Sequence, residues 1–246
     1  MSKRKQENVN QPEAVVGQAL SLTYRERKLK LSEDRMTVSC EKFFGYQTVL
    51  AEHSANAGQW CFSATIEELP EGSHVRIGWS TRRTRFDQPI GSDCFSFAIR
   101  DTDCARVCLA RRWPVSDARE LKAGDVVTCF LSLPSHAASP RHDDGLTYFP
   151  NLLCDPETAQ DPDLAGPDTS ISFAVNGRPL AEGFTNLVAG EYYPAVSLFG
   201  RAKVRFDFAT DVDHFRAAKH MYVPKELMRP KRRPPNFIPR GLTSGA

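Results

Sequence analysis

The sequence predicts an all-β protein built as an antiparallel β-sandwich. Three observations lead to this fold class. Short segments alternate between apolar and polar residues, turn residues recur between these segments, and almost no segment has the spacing of an amphipathic helix. With 246 residues, 41% hydrophobic and 25% charged, the chain has a globular composition and a length that a single sandwich can reach.

The segments WCFSATIEE and HVRIGWS show the clearest alternation. In the second, Ile77 and Trp79 share one face and Arg76 lies opposite. The segment FSFAIRD places Arg100 opposite Phe97 in the same way. Because side chains alternate across a strand, each of these segments has one face for the core and one for the surface.

The remaining strands carry different signals. Residues 124–134 are almost continuously apolar, which predicts a strand covered on both faces. Residues 170–180 contain Asn176 followed by Gly177, a dipeptide that favours a tight hairpin turn. The segments YYPAVSLFG and KVRFDFA complete the set.

The chain divides into a β domain and polar, basic ends. Residues 1–20 lack periodicity and predict a disordered basic arm. The β domain is expected over 21–215, interrupted at 135–168 by a loop rich in Pro, Asp, Ser and His, a length typical of a functional or disordered insertion. Residues 216–246 form a basic tail in which repeated prolines exclude a regular helix or central strand.

The seven cysteines include no CxxC pair, so we expect reduced, mostly buried thiols rather than a zinc site. The N-terminus has no apolar segment of the signal-peptide kind, and no apolar run is long enough for a membrane helix. These features are typical of a cytosolic or nuclear protein.

Catalytic motifs are missing from the sequence. It contains no GxSxG, HExxH or P-loop pattern. His142 stands beside Asp143 and Asp144, but the polar context indicates a solvated loop. We therefore expect neither an enzyme nor a bound cofactor or metal.

Arginine is the one residue type whose placement predicts binding. Arg76 and Arg100 both lie opposite the apolar face of their own strand, so neighbouring strands would bring two guanidinium groups to one surface. Such groups bind carboxylates and phosphates in a bidentate manner. The alternative is that the two arginines are unrelated. Arg82, Arg83 and Arg85 follow in a loop, where solvated charge is expected.

A second candidate ligand is nucleic acid. The net charge is only +2, but the termini carry the basic runs KRK and PKRRP, which suit nuclear import or non-specific phosphate contact. The aromatic residues fall mostly on the core-facing side of their strands. Specific base stacking is therefore not favoured.

The ordered series DRMTV, GYQTVLAEHSANAGQWCFSATIEE, RIGWS, QPIGSDCFSFAIRD, ISFAVNG, YYPAVSLFG and KVRFDF resembles the SPRY domain of the Ash-two/Bre-two subunit of histone methyltransferase complexes of the COMPASS or MLL type. The resemblance covers roughly residues 20–210. It implies a concanavalin-like β-sandwich and a binding scaffold rather than a catalyst.

The family uses its SPRY surface to bind an acidic, often phosphorylated segment of the β-propeller subunit (the retinoblastoma-binding-protein-five type). The pair then stimulates the SET-domain enzyme that methylates lysine four of histone H3. By resemblance, the binding positions fall on Tyr46, Arg76, Pro89 and Arg100. This chain has Ser92 where a further tyrosine usually follows, so one packing contact is missing.

The resemblance also bears on other partners and on location. The family's helix for a dimeric Dpy-thirty subunit would begin near Phe215, but Pro224 stops the helical spacing early, so that interaction is not expected in its usual form. A weak DNA contact would have to come from the basic termini. A nuclear location follows from the family. The alternatives are a generic SPRY adaptor of the ubiquitin-ligase type and a nucleic-acid-binding module.

Overall fold

The computed structural model describes residues 19–41, 43–133, 147–149, 152–154 and 168–208. Within these ranges no helix is long and apolar enough to cross a membrane. The strands of the described residues are β1 (Leu20–Arg25), β2 (Lys30–Leu31), β3 (Thr37–Ser39), β4 (Phe43–Ala51), β5 (Gly58–Glu68), β6 (His74–Ser80), β7 (Ser96–Arg100), β8 (Arg106–Cys108), β9 (Arg111–Trp113), β10 (Val126–Leu133), β11 (Thr147–Phe149), β12 (Leu152–Cys154), β13 (Ser170–Val175), β14 (Arg178–Pro179), β15 (Phe184–Thr185), β16 (Tyr193–Gly200) and β17 (Lys203–Asp207).

Two antiparallel sheets contain most of these strands, which confirms the predicted all-β sandwich. The first sheet has seven strands in the order β1-β4-β16-β6-β7-β8-β9. The second has eight, in the order β14-β13-β10-β5-β17-β3-β2, with β15 also paired to β13. In the first sheet β16 lies between β4 and β6, so three strands that are distant in sequence share one surface.

The inner faces of the two sheets enclose the core. Phe62 of β5 packs against Trp79 of β6 with ring centroids 5.1 Å apart, and it stacks on Phe206 of β17 at 5.5 Å. These three side chains and Ile77 are buried, which confirms the alternation predicted for their strands. Burial of one such side chain stabilises the fold by about 1.5–3 kcal/mol.

The loop over residues 81–95 covers part of the outer face of the seven-stranded sheet. Ile90 of this loop belongs to an apolar cluster that includes side chains of β4, β7, β8 and β16. Buried Asp93 holds the loop together, because its carboxyl accepts hydrogen bonds from Thr84 Oγ1 (2.9 Å) and Ser96 Oγ (2.6 Å). Burial raises the pKa of Asp93. The loop leaves the adjoining part of this outer face half-exposed.

β10 is covered on both faces, as predicted from its continuous apolar sequence. Cys129 and Leu131 point into the central core. Phe130 points the other way, yet it is also buried and packs against Ala174 of β13. This explains why the segment shows no alternation of apolar and polar residues.

The predicted hairpin turn at Asn176 and Gly177 is confirmed. Both residues have positive φ, 50° and 72°, and Val175 pairs with Arg178 across the turn. Asn176 also donates from Nδ2 to Asp125 Oδ1 at 2.7 Å. Both central residues of this turn must adopt the left-handed region, which Asn and Gly tolerate best.

One predicted boundary is corrected. Leu20 was expected in the disordered arm of residues 1–20, but it is buried, begins β1 and pairs with Ala51 of β4. The preceding Ala19 is buried as well. Ala19 and Leu20 therefore belong to the folded domain, which begins before residue 21.

Other expectations concern residues outside the described part of the chain. These are the remainder of the arm, the tail over 216–246, the spacing that ends at Pro224, and His142 with its acidic neighbours. Within the insertion expected at 135–168, the described residues form an antiparallel pair, β11 with β12. The segment expected to be a loop thus contains a short hairpin.

The structure describes the side chains of six cysteines, and these six carry free thiols. Five are buried and Cys61 is half-buried. Burial raises the pKa of the Cys108 and Cys129 thiols well above the ordinary value, which disfavours the reactive thiolate. Within the described ranges, no three His, Cys, Asp or Glu side chains come together as a metal-ion site would require.

Candidate functional site

Arg76 and Arg100 stand directly opposite each other on adjacent strands, as the sequence predicted for neighbouring strands. Arg76 of β6 pairs in register with Arg100 of β7. On its other side Arg76 is opposite Ser197 of β16, which in turn is opposite Thr48 of β4. All four residues lie on the outer face of the seven-stranded sheet. Two guanidinium groups therefore share one surface.

Gly78 allows β6 and β7 to approach closely beside this pair. A Cβ atom built on Gly78 would lie 2.0 Å from the carbonyl oxygen of Phe97 and 2.7 Å from Cα of Ala98. These are backbone atoms, which cannot rotate away. The glycine in the segment RIGWS is thus required for the strand pairing that places the two arginines.

Arg76 is half-buried and forms no ion pair with a described residue. Its Nη1 donates to the carbonyl oxygen of Ile90 at 3.0 Å, and its guanidinium carbon lies 5.3 Å from the centroid of the Tyr46 ring. Its Nε is buried without a hydrogen-bond partner. Burial lowers the pKa of Arg76, though arginine stays protonated in proteins. An acidic ligand would stabilise this incompletely solvated cation.

Arg100 already holds a carboxylate of the same chain. Its Nε and Nη2 donate to Asp103 Oδ1 and Oδ2 at 2.7 and 2.8 Å, a bidentate pair. This hydrogen bonding raises the pKa of Arg100 and holds the pKa of Asp103 far below its ordinary value. Arg112 of β9 binds the same carboxylate, with Nε 2.7 Å from Oδ2.

Two aromatic rings and a histidine extend the surface beside Arg76. The Tyr46 ring packs against Phe199 of β16 with centroids 5.4 Å apart, and His74 lies 5.9 Å from the same phenyl ring. His74 Nδ1 is 2.9 Å from Asp101 Oδ2. Tyr46, His74, Arg76, Arg100 and Phe199 are all half-buried and form what we call the arginine surface.

Pro89 lies in the loop at the edge of the arginine surface. Its successor Ile90 accepts the Arg76 hydrogen bond and donates from its backbone nitrogen to Ser197 Oγ at 2.8 Å. Thr48 Oγ1 donates to the carbonyl oxygen of Gln88 at 2.7 Å. These bonds fix the loop on both sides of Pro89. The half-buried Pro89 is thereby held next to Arg76.

Comparisons with known proteins agree with this architecture. The SPRY domain family model matches residues 59–139. The subunit ASH2 of the Set1/Ash2 histone methyltransferase complex of Drosophila melanogaster is 32% identical over 208 residues, 77% of this chain. The Set1 complex component ash2 of Schizosaccharomyces pombe is 26% identical over 214 residues, 69% of this chain. This chain carries a SPRY domain of the Ash2 type.

The matched region is a part of the larger relatives. It covers 35% of the Drosophila protein and 32% of the Schizosaccharomyces pombe protein, so the chain spans about a third of their length. Among solved structures, the SPRY domain of human HERC1 superposes with a TM-score of 0.53 at 16% identity, over 76% of this chain and 96% of that domain. This similarity supports the SPRY fold alone.

The structure brings the four sequence-predicted positions of this SPRY domain together. Tyr46 and Arg76 are in contact, Arg100 pairs with Arg76, and Pro89 adjoins them through Ile90. Ser92, where a tyrosine was expected from the resemblance, is half-buried and donates its backbone nitrogen to the Pro89 carbonyl oxygen at 3.1 Å. This backbone hydrogen bond closes the turn and does not involve the side chain of residue 92.

Sequence reasoning missed Asp103, Arg112 and Phe199. Asp103 follows Arg100 by three residues in a turn, a spacing that could have indicated the ion pair. No local signal marks Arg112, because the contact depends on the β7–β8–β9 register. Arg85 is exposed, as expected for a solvated loop charge, and it also pairs with Asp87 at 2.6 Å.

Proposed function

We propose that this chain is a non-catalytic scaffold subunit of a Set1/Ash2-type histone H3 lysine-four methyltransferase complex in the nucleus. In this proposal the SPRY domain binds an acidic segment of the β-propeller (retinoblastoma-binding-protein-five-like) subunit and so stimulates the SET-domain enzyme. The similarity to named subunits of Set1 complexes in a fly and a yeast supports the proposal.

The observation that carries the proposal is the opposed pair of Arg76 and Arg100 on an accessible sheet face. Arg76 has no described carboxylate partner, and its guanidinium is already positioned by Ile90 and Tyr46. A preorganised arginine loses little conformational freedom when a carboxylate or phosphate binds. The surface therefore suits an acidic peptide.

Each residue of the site has a distinct part in this binding. Arg76 and Arg100 donate hydrogen bonds to acidic groups of the ligand. Tyr46 holds Arg76 through its ring face and offers apolar surface beside it. Pro89, fixed at the loop edge, packs against the ligand backbone. The Phe199 ring continues the apolar floor next to Tyr46.

Isothermal titration with a synthetic peptide of the acidic propeller segment tests the proposal. Arg76→Ala and Arg100→Ala are each expected to weaken binding by about 1–3 kcal/mol, the scale of a charge-assisted hydrogen bond. A peptide with glutamine in place of each acidic residue should not bind. Higher salt should weaken binding, because the contacts are partly exposed and charged.

Arg178→Ala is the matched control. Arg178 is exposed on β14 of the other sheet, so its loss removes the same charge away from the arginine surface. Its affinity should stay close to that of the unmodified chain. Unchanged affinity in both Arg76→Ala and Arg100→Ala would overturn the proposal.

A further inference from the structure

The geometry points to Arg112 as a further binding residue, one that extends the arginine surface to a second acidic group of the ligand. This inference rests on the proposed function, since it concerns the same acidic peptide. It assigns the peptide a second anchoring position near the sheet edge, with Asp103 organising the two arginines that form it.

The strand register places Arg112 on the same face as Arg100. Arg112 of β9 is opposite Val107 of β8, and Val107 is opposite Ala98 of β7. Ala98 and Val107 belong to the apolar cluster on the outer face of the seven-stranded sheet. Arg100 follows Ala98 by two residues and so shares its face. Arg112 therefore lies on this face too.

Asp103 joins the two guanidinium groups and aligns them. It accepts from Nε and Nη2 of Arg100 and from Nε of Arg112, whose Nη2 lies 2.5 Å from Oδ2. Arg100, Asp103 and Arg112 form what we call the triad, and its two cations and one carboxylate together carry a charge of +1. The carboxylate is 16% exposed, while the side chain of Arg112 is 50% exposed. The positive groups are thus more accessible to a ligand than the negative one.

Both guanidinium groups retain donors for an incoming anion. Arg100 and Arg112 use Nε and Nη2 on Asp103, and Nη1 of each has no ion-pair partner among the described residues. A guanidinium presents five N–H donors in a fixed plane, so it can bind two carboxylates at once. The triad accordingly attracts a further acidic group without releasing Asp103.

The separation of the strands indicates the kind of ligand that would use both positions. β6 and β9 are three strand spacings apart, or about 14 Å between backbones. An extended peptide rises about 3.3 Å per residue, so it crosses this distance in about four residues. We therefore expect a ligand with acidic residues about four positions apart, one at Arg76 and one at Arg112.

Arg111 provides a closely matched control for this inference. It is the preceding residue on the same strand and is also exposed, but it is opposite Cys108, whose side chain belongs to the inner core. Arg111 therefore lies on the inner-face side of β9, opposite to the side that carries Arg112. Arg111→Gln and Arg112→Gln change the charge equally at almost the same place.

Fluorescence polarisation with a labelled glutamate-rich peptide tests the inference, with melting temperatures measured in parallel to confirm folding. Arg112→Gln is expected to weaken binding about threefold to tenfold, and Arg112→Lys to retain more affinity than Arg112→Gln. Arg111→Gln should have a much smaller effect. If Arg111→Gln and Arg112→Gln weaken binding equally, only the overall positive charge of this region attracts the peptide, and the inference is overturned.

Arg76→Ala in the same titration separates this inference from the proposed function. If Arg76→Ala weakens binding and Arg112→Gln does not, the second position is wrong while the acidic-peptide site stands. If the unmodified chain does not bind the peptide, or if Arg76→Ala and Arg100→Ala both bind as tightly as the unmodified chain, both the site and its extension are wrong.

Discussion

Arg76 and Arg100 are directly opposite each other in the β6–β7 pairing, but their charges are compensated in different ways. Arg100 forms a bidentate ion pair with Asp103 at 2.7 and 2.8 Å. Arg76 donates to a backbone carbonyl oxygen at 3.0 Å and lies over the Tyr46 ring. Both arginines therefore lie on one surface, but Arg100 already binds a carboxylate of the chain and Arg76 does not.

This difference predicts a rescue. Arg100→Ala removes a cation and leaves the Asp103 carboxylate paired with Arg112 alone, so this carboxylate repels the incoming acidic group more strongly. We expect the double variant Arg100→Ala/Asp103→Asn to bind the acidic peptide about threefold more tightly than Arg100→Ala alone. Isothermal titration of the four forms in a double-mutant cycle measures the coupling. A double variant weaker than Arg100→Ala would contradict the repulsion.

The close approach of β6 and β7 at Gly78 predicts that a side chain at this position destabilises the fold and weakens ligand binding. Gly78→Ala would place a methyl group 2.0 Å from the Phe97 carbonyl oxygen, so β6 and β7 must separate. We expect a loss of about 2–4 kcal/mol in the free energy of unfolding, at the upper end of single substitutions, measured by urea denaturation.

Gly45→Ala on β4 of the same sheet is the control for Gly78→Ala. No atom lies within 4 Å of a Cβ built there, and its φ is not in the left-handed region. Its stability should change by less than about 1 kcal/mol. Similar losses at both glycines would show that the β6–β7 approach is not the cause.

Asp103 predicts a pH-dependent contribution to stability. Its hydrogen bonds from Arg100 hold its pKa far below the ordinary value of about 3.9. The folded-state pKa is depressed, so the stabilisation is complete above the unfolded pKa and is lost as the pH falls through the folded one. Asp103→Asn should lower the unfolding free energy by about 1–3 kcal/mol near pH 7, and the difference should narrow below about pH 4.

Asp87 tests whether burial gives the Asp103 pair its strength. Asp87 also forms a bidentate pair, with Arg85, but its side chain is 54% exposed against 16% for Asp103. Exposed pairs contribute about 0–1 kcal/mol, so Asp87→Asn should have the smaller effect in urea unfolding. A pH-independent loss in Asp103→Asn would contradict the assignment to the ionised carboxylate.

The aromatic core predicts a large effect at Phe62. This side chain is 1% exposed and contacts Trp79 and Phe206 from both sheets. Phe62→Ala should cost about 3–5 kcal/mol of unfolding free energy through the lost burial and the cavity. Leu22→Ala, at a residue that is 62% exposed, should be nearly neutral. Comparable losses in the two variants would be inconsistent with the core described above.

Much of the fold could be predicted because alternation along a strand is a local property. The alternation around Phe62 and Ile77 was enough to predict which side of each strand faces the core. The dipeptide of Asn176 and Gly177 was enough to predict the hairpin turn. The continuous apolar run around Phe130 likewise predicted a strand buried on both faces. The start at Leu20 was missed because Ala19 and Leu20 are adjacent apolar residues, which do not show the alternation of a strand.

The site was only partly predictable, because its geometry depends on pairing between distant strands. Parity placed Arg76 and Arg100 on outer faces, but only the register shows that they are opposite each other. Asp103 and Arg112 become relevant only once β8 and β9 are paired beside β7. Tyr46 was carried over from the family resemblance, and its contact with Arg76 depends on β16 lying between their strands.

Affinity purification with mass spectrometry tests the central claim most directly. The tagged chain and its Arg76→Ala/Arg100→Ala variant are expressed in matched cells and purified under the same salt conditions. We predict that the unmodified chain co-purifies with a β-propeller subunit and a SET-domain methyltransferase. The variant should lose both partners although its melting temperature shows that it is folded. Absence of both partners from the unmodified chain, or their equal recovery with the variant, would contradict the proposal.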